Sequence, residues 1–240
     1  MCRPHSPGEL RDALVGRELT KAHRRGKSIW CDTSDRGPTL GVHLGMSGRI
    51  HVSPPEGEER EDDEGGDYVG TGTGSRGRTT KPEWDRFTLL FEDGGSLRLF
   101  DKRRLGRIRL DPDIDALGPD AAAIRAEELR EILGRSHVPV KARLLDQHAL
   151  AGVGNLLADE ALWQAAIGPA RPADDLDRDE VTRLAGTVRT AIRRAIKRGG
   201  VHTGEIIRHR KAGEHCPRCG APMRRATVGG RTTWFCSKEQ

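Results

Sequence analysis

The spacing of apolar residues changes character midway along the chain. Through the first half the apolar positions favour a two-residue repeat. SIWCDT (28–33) and TLGVHLGMSGRIHV (39–52) read as strands, interrupted by Gly41, Gly45 and Gly48. Phe87, Leu89 and Phe91 alternate, EDGG turns the chain, and Leu97 and Leu99 alternate back, which predicts a hairpin. Beyond Pro112 the step lengthens to three or four. Helices are expected over Ala122–Leu133, Val140–Gln147, Asn155–Ala166 and about Asp179–Arg198. In the last of these, Val181, Leu184, Val188, Ile192 and Ile196 make one apolar face. Asp177 and Glu180 stand at capping-box spacing ahead of it, and Gly199-Gly200 stops it. Residues 215–240 are a turn-rich cysteine module. No internal repeat is present, and the order is β, then helical, then cysteine ribbon: an α+β protein.

One segment fits neither pattern. Residues 53–83 are first acidic and then rich in glycine, threonine and serine, and are expected to form a long mobile loop. Within it, 56–67 (EGEEREDDEGGD) holds eight acidic residues and one arginine. The whole chain of 240 residues carries 41 basic and 36 acidic side chains. Outside 56–67 that leaves 40 basic against 28 acidic, a surplus of twelve, which favours a polyanionic partner, above all nucleic acid. Composition excludes other classes. Apolar residues at 35% with 30 glycines suffice for a core, and no apolar run approaches the roughly 18 residues of a membrane span. The opening MCRPHSPGEL has no apolar signal core, so a cytoplasmic protein is expected. Three of the five cysteines crowd into 216–236, which suits a reduced metal cluster better than a disulfide framework.

Three features carry candidate chemistry. Cys216-Pro-Arg-Cys219 is followed, after sixteen intervening residues, by Cys236, the spacing of a zinc ribbon. The fourth position of that pattern is Glu239, with His215 and His209 as alternatives; a module that folds on its apolar core without metal also fits. Second, Gly229-Gly230 turns two short strands and leaves Arg231 at the tip. There it is placed to meet a phosphate, or is an ordinary exposed turn residue. Third, Gly152 and Gly154 bracket a turn before a new helix at Asn155. Glycines let backbone approach a ligand, and amides at a helix start favour an anion, although a plain connection between helices has the same pattern. Nothing local makes Asp159 or Glu160 catalytic; they read as solvated or as a structural pair.

These residues resemble the formamidopyrimidine-DNA glycosylase / endonuclease VIII family of base-excision repair enzymes. The stretches that carry the likeness are RRGKSIW (24–30), HLGMSG (43–48), DKRRLGRIRL (101–110), LLDQHALAGVGNLLADEALWQAAIGPARP (144–172) and GGRTTWFC (229–236), in family order. The resemblance implies an N-terminal β-sandwich over 1–111, a helix–two-turn–helix domain over 112–212 and a zinc ribbon over 213–240. It implies a monomer acting on damaged or abasic double-stranded DNA near the nucleoid, as a glycosylase and β-eliminating abasic-site lyase. By the same likeness Lys27, Asn155 and Arg231 contact phosphates, and Met46 fills the stack after base flipping. Arg103 faces the orphaned base, and Leu105 is an apolar wedge where many members have phenylalanine. One structural zinc is implied at Cys216, Cys219, Cys236 and Glu239.

Two departures accompany the match. The family's N-terminal proline nucleophile and adjacent glutamate acid/base do not occur at the start MCRPHSPGEL. The expectation is therefore that these 240 residues bind DNA and form little covalent adduct, the missing pair belonging upstream. A catalytically silent damaged-DNA-binding protein is the alternative, and an RNA-binding zinc-ribbon protein a more remote one. Secondly, VHTGEIIRHRKAGEH (201–215) is short for a loop that covers an oxidised purine.

Overall fold

The computed structural model describes residues 4–55 and 82–240, which form two compact units joined near residue 114. The acidic segment 56–67, and nearly all of the expected loop 53–83, lie outside the described residues.

The first unit opens with α1 (Pro7–Leu14), started by a capping box between Ser6 and Glu9 and by proline in its first turn. Leu10 and Leu14 are its buried face. An antiparallel sheet follows, β1 (Leu19–Arg25), β2 (Ser28–Thr33), β3 (Leu40–His43) and β7 (Arg107–Leu110), in the order β1-β2-β3-β7. A second antiparallel sheet holds β4 (Arg49–Ser53), β5 (Asp85–Leu90) and β6 (Ser96–Phe100) in the order β4-β6-β5. Leu10, Leu14, Leu40, Val42, Leu99 and Ile108 form a single core, with Ile29, Ile50, Phe87 and Leu89 packed against it. Both sheets and α1 therefore share one interior.

The run 39–52 is not one strand. It breaks after His43, turns through 44–48 and re-enters in the other sheet, with the Gly48 amide donating to the Leu44 carbonyl at 2.9 Å. In the β5–β6 hairpin Phe91 belongs to the turn rather than the strand, its amide bonded to the Gly95 carbonyl.

The second unit packs α2 (Ala126–Gly134), α3 (Val140–Leu145), α4 (Asn155–Ala165) and α5 (Arg178–Lys197) around one apolar core. α2 starts four residues later than its apolar pattern, because Asp120 ties Ala122 and Ala123 into a tight turn. α3 ends at Leu145 rather than Gln147, whose side chain is drawn into the following turn. The α5 capping box forms as its spacing requires, with Asp177 accepting from the Glu180 amide. The apolar face of α5 is buried through Ala191, but Ile196 is 73% exposed: the helix outruns its core by a turn.

β8 (Met223–Val228) and β9 (Arg231–Cys236) form the C-terminal ribbon, joined by Gly229 and Gly230, both with positive φ as a two-residue hairpin turn of this kind requires. Trp163 from α4, Ile206, Cys216, Met223 and Cys236 share a small core of their own. No helix among the described residues is long and apolar enough to cross a membrane.

Candidate nucleic-acid interface

In the first unit two loops stand side by side. The first is the 44–48 turn, with Met46 at its apex and 73% exposed. His43 shapes its entry: the ring Nδ1 accepts the Gly45 amide at 3.0 Å. Burial pushes the His43 pKa down, and the charges of Lys27, Arg107 and Arg109 push it the same way, so the ring is neutral. Lys27 itself is exposed in the β1–β2 turn, next to Ser28, which pairs with His43 across the sheet.

The second loop follows β6 and carries Arg103 and Leu105, both exposed. Its organiser is Asp101, which is fully buried. One carboxylate oxygen accepts the Ser47 hydroxyl at 3.1 Å and the Arg103 amide at 3.0 Å; the other accepts the Leu105 and Gly106 amides, each at 2.6 Å. Burial alone would raise this carboxyl, but the bonds from Gly106, Arg103, Ser47 and Leu105 together outweigh it and hold the pKa below the usual range. One ionised side chain thus fixes both the Met46 turn, through Ser47, and the Arg103–Leu105 loop. The loops also touch directly, since Gly45 lies against the Leu105 backbone. Met46, Arg103 and Leu105 are accordingly brought together. Asp101 carried no signal of its own in the sequence.

In the second unit, Gly152 (φ +114°) allows the turn that leads into α4, and Gln147 bridges it by donating to Val153 and accepting from the Gly152 amide. Gly154 is the N-cap and Asn155 the first helical residue. The Asn155 amide is turned toward the ribbon, donating to the Thr232 carbonyl at 3.1 Å, while its Oδ1 is buried with no hydrogen-bond partner. Asn155 and Arg231 are therefore brought together, one residue of β9 apart. Arg231 is exposed.

Asp159 and Glu160 are buried, not solvated. Asp159 pairs with Lys141 at 2.6 Å and with Arg210 at 2.8 Å. Glu160 accepts the Ile206 amide and the Gln164 side chain. Lys141 has no exposed surface at all, although its pattern position is that of an ordinary helix lysine. Burial pushes its pKa down, the bond to Asp159 opposes that, and the charges of Arg210 and Arg231 add to the lowering.

The ligand atoms of Cys216, Cys219, Cys236 and Glu239 lie within 4.8 Å of one another. His209 is instead bonded to Glu214 at 2.9 Å, and neither it nor His215 joins the cluster. The set suits zinc. Cys219 and Cys236 sulfurs are 3.5 Å apart, near the ~3.8 Å that tetrahedral thiolates at ~2.3 Å from zinc require. Trp163 Nε1 donates to Cys216, and the Lys238 and Glu239 amides donate to Cys236. At Cys216, burial resists ionisation, but Trp163 and the Cys219 and Arg218 amides outweigh it and lower the thiol pKa. Glu239 is held by Arg218 at 3.1 Å, which in turn lies over the Trp163 ring at 4.3 Å.

The family described as the formamidopyrimidine-DNA glycosylase N-terminal domain matches residues 1–108, and that described as its H2TH domain matches 116–206. The formamidopyrimidine-DNA glycosylase of Roseiflexus sp. (strain RS-1) is 33% identical over all of this chain and 88% of its own length. That of Mycobacterium avium (strain 104) is 33% identical over 98% of this chain and 84% of its own. Among solved structures, Lactococcus lactis Fpg in complex with FAPY-dG-containing DNA superposes with a TM-score of 0.73 at 28% identity, over 97% of this chain and 86% of that one. The same enzyme bound non-covalently to DNA containing an AP site gives 0.73 at 28%, over 97% and 85%.

Proposed function

The chain belongs to the formamidopyrimidine-DNA glycosylase family, and from that premise we propose that it acts in base-excision repair, as a DNA glycosylase and abasic-site lyase on double-stranded DNA that carries an oxidised or missing base. It works as a monomer in the cytoplasm, beside the nucleoid. The observation that carries the reading is the pair of adjoining loops that expose Met46, Arg103 and Leu105 over a buried Asp101.

Extruding a base costs a few kcal/mol, and a rigid wedge must fill the hole that is left. Met46 and Leu105 supply apolar volume for the vacated stack, and Arg103 supplies donors for the base left unpaired. Both loops are fixed by hydrogen bonds to one carboxylate, so little ordering remains to be done when DNA arrives. Lys27, Asn155 and Arg231 hold phosphates, which positions the duplex without reading its sequence. Cys216, Cys219, Cys236 and Glu239 would hold a zinc ion, whose contribution is structural: it ties the base of the ribbon that carries Arg231.

Competition binding tests the reading. A duplex with a tetrahydrofuran abasic analogue should bind at least tenfold more tightly than the intact duplex. A Met46→Ala/Leu105→Ala variant should lose most of that preference while keeping its affinity for intact DNA. Equal affinity of the parent protein for the two duplexes would refute it.

A further inference from the structure

We propose that Arg210 is a positioning residue, which orients the ribbon-tip Arg231 toward phosphate by clamping the strand that follows it. The proposal rests on the DNA-binding reading above and extends it to a residue that matches none of the motifs.

The Thr232 carbonyl, immediately after Arg231, accepts from three side chains of three separate segments: Asn155 Nδ2 at 3.1 Å, Arg210 NH2 at 3.3 Å and Lys141 Nζ at 3.4 Å. Thr233 is held next, its hydroxyl accepting from Lys141 at 2.7 Å and donating to the Arg231 carbonyl at 3.1 Å. Trp234 follows, with its amide on Asp159 Oδ2 at 3.3 Å. On the other side of the tip, a β-carbon at Gly229 would fall 2.9 Å from that of Ala142. Arg210 joins the two halves of this clamp alongside Lys141: its Nε holds Asp159 Oδ2 at 2.8 Å while its NH2 holds Thr232. The fork lets Arg210 give each acceptor a nitrogen of its own, where Lys141 reaches both from a single nitrogen.

The charge balance distinguishes this arrangement from a purely structural weld. A buried weld does best when neutral, since each unmatched buried charge costs several kcal/mol. Here two cations, Lys141 and Arg210, share one carboxylate, and Arg231 stands above them with no ion pair among the described residues. The surplus is positive, and it lies directly beneath the residues that would meet an anion.

Two measurements test the proposal on the full chain. Hydrogen exchange, without DNA, should show the amides of 232–234 exchanging at least tenfold faster in both Arg210→Met and Arg210→Lys, with the 216–219 turn unchanged. In both variants Lys141 still pairs with Asp159, and the unchanged 216–219 turn serves as the control that the fold is kept. In binding to the abasic-analogue duplex, Arg210→Met should weaken affinity about fivefold in the parent background and less than twofold in an Arg231→Ala background, because it acts through Arg231. Unchanged exchange overturns the clamp. Equal losses in both backgrounds overturn the link to Arg231, and full rescue by Arg210→Lys reduces Arg210 to a simple charge. A parent protein that fails to prefer abasic DNA refutes the functional reading instead, while exchange still decides whether Arg210 holds the tip.

Discussion

A β-carbon on Gly45 would lie 2.6 Å from the carbonyl carbon of Leu105, and Gly45 has a φ of +65°. The turn that bears Met46 and the loop that bears Leu105 are thus in backbone contact, at a place where only glycine fits. Gly45→Ala should push the loops apart and strain the turn at a cost of about 1–3 kcal/mol. Preference for abasic over intact duplex should fall at least tenfold. Competition binding with the two duplexes checks this, and an unchanged preference would show that the contact is incidental.

Asp101→Asn should act on the same loops from below. The amide nitrogen must face a position where two donors already point, which leaves buried groups unsatisfied at a cost of about 1–3 kcal/mol. The pH dependence follows from the lowered carboxyl. A group whose folded pKa is depressed stabilises the fold above its unfolded value of about 3.9, and that contribution is lost as pH falls through the folded value. The parent should therefore melt higher than the variant at pH 7, with the gap narrowing below about pH 4. Calorimetry across that range measures it, and a constant gap would argue against an ionised Asp101.

Arg231→Ala should weaken binding to the abasic-analogue duplex and lower the slope of log affinity against log salt by about one, the signature of a single lost phosphate contact. Titrations at several salt concentrations give the slope. Identical slopes for parent and variant would remove Arg231 from the interface.

Zinc should be present at about one ion per chain in protein purified near neutral pH, and should leave on acidification as the thiolates protonate. Cys216→Ser should lose it, Glu239→Ala should hold it more weakly, and Glu239→Cys more tightly. Elemental analysis with a competing chelator ranks the four proteins. A content well below one in the parent would favour a ribbon that folds on its apolar core alone.

How much of this was legible in the sequence depended on the range of the forces involved. The α5 capping box and the Gly229-Gly230 hairpin are decided within a few residues, and both form where their spacing put them. The same local rules were available at Ser6 and Glu9, yet α1 escaped notice because eight residues with two buried leucines make a weak periodic signal. Ile196 continued its pattern past the end of the core, which periodicity cannot register. Lys27 and the wedge residues Met46, Arg103 and Leu105 were found by likeness alone, whereas the hairpin tip and the helix start had already offered Arg231 and Asn155 as phosphate candidates. The groups that hold them, Asp101, Lys141 and Asp159, stayed hidden for a physical reason. A charged side chain is buried only where distant partners meet it, and those partners lie 54, 92 and 51 residues away for Ser47, Thr233 and Arg210.

Those long separations also bear on the order of folding. α4 is buried on nearly every side and packs against α5 through contacts of modest sequence separation. Apart from Arg210, which reaches Thr232 across 22 residues, the bonds that seat the ribbon tip close loops of 75 to 92 residues, from Asp159 to Trp234 and from Lys141 to Thr233. Loop closure of that length is favourable only after both ends have taken shape. The helices of the second unit should therefore assemble first and the tip dock last, so that Arg231 reaches its place in the final step of folding. Substitutions at the tip would then speed unfolding and leave the folding rate almost unchanged.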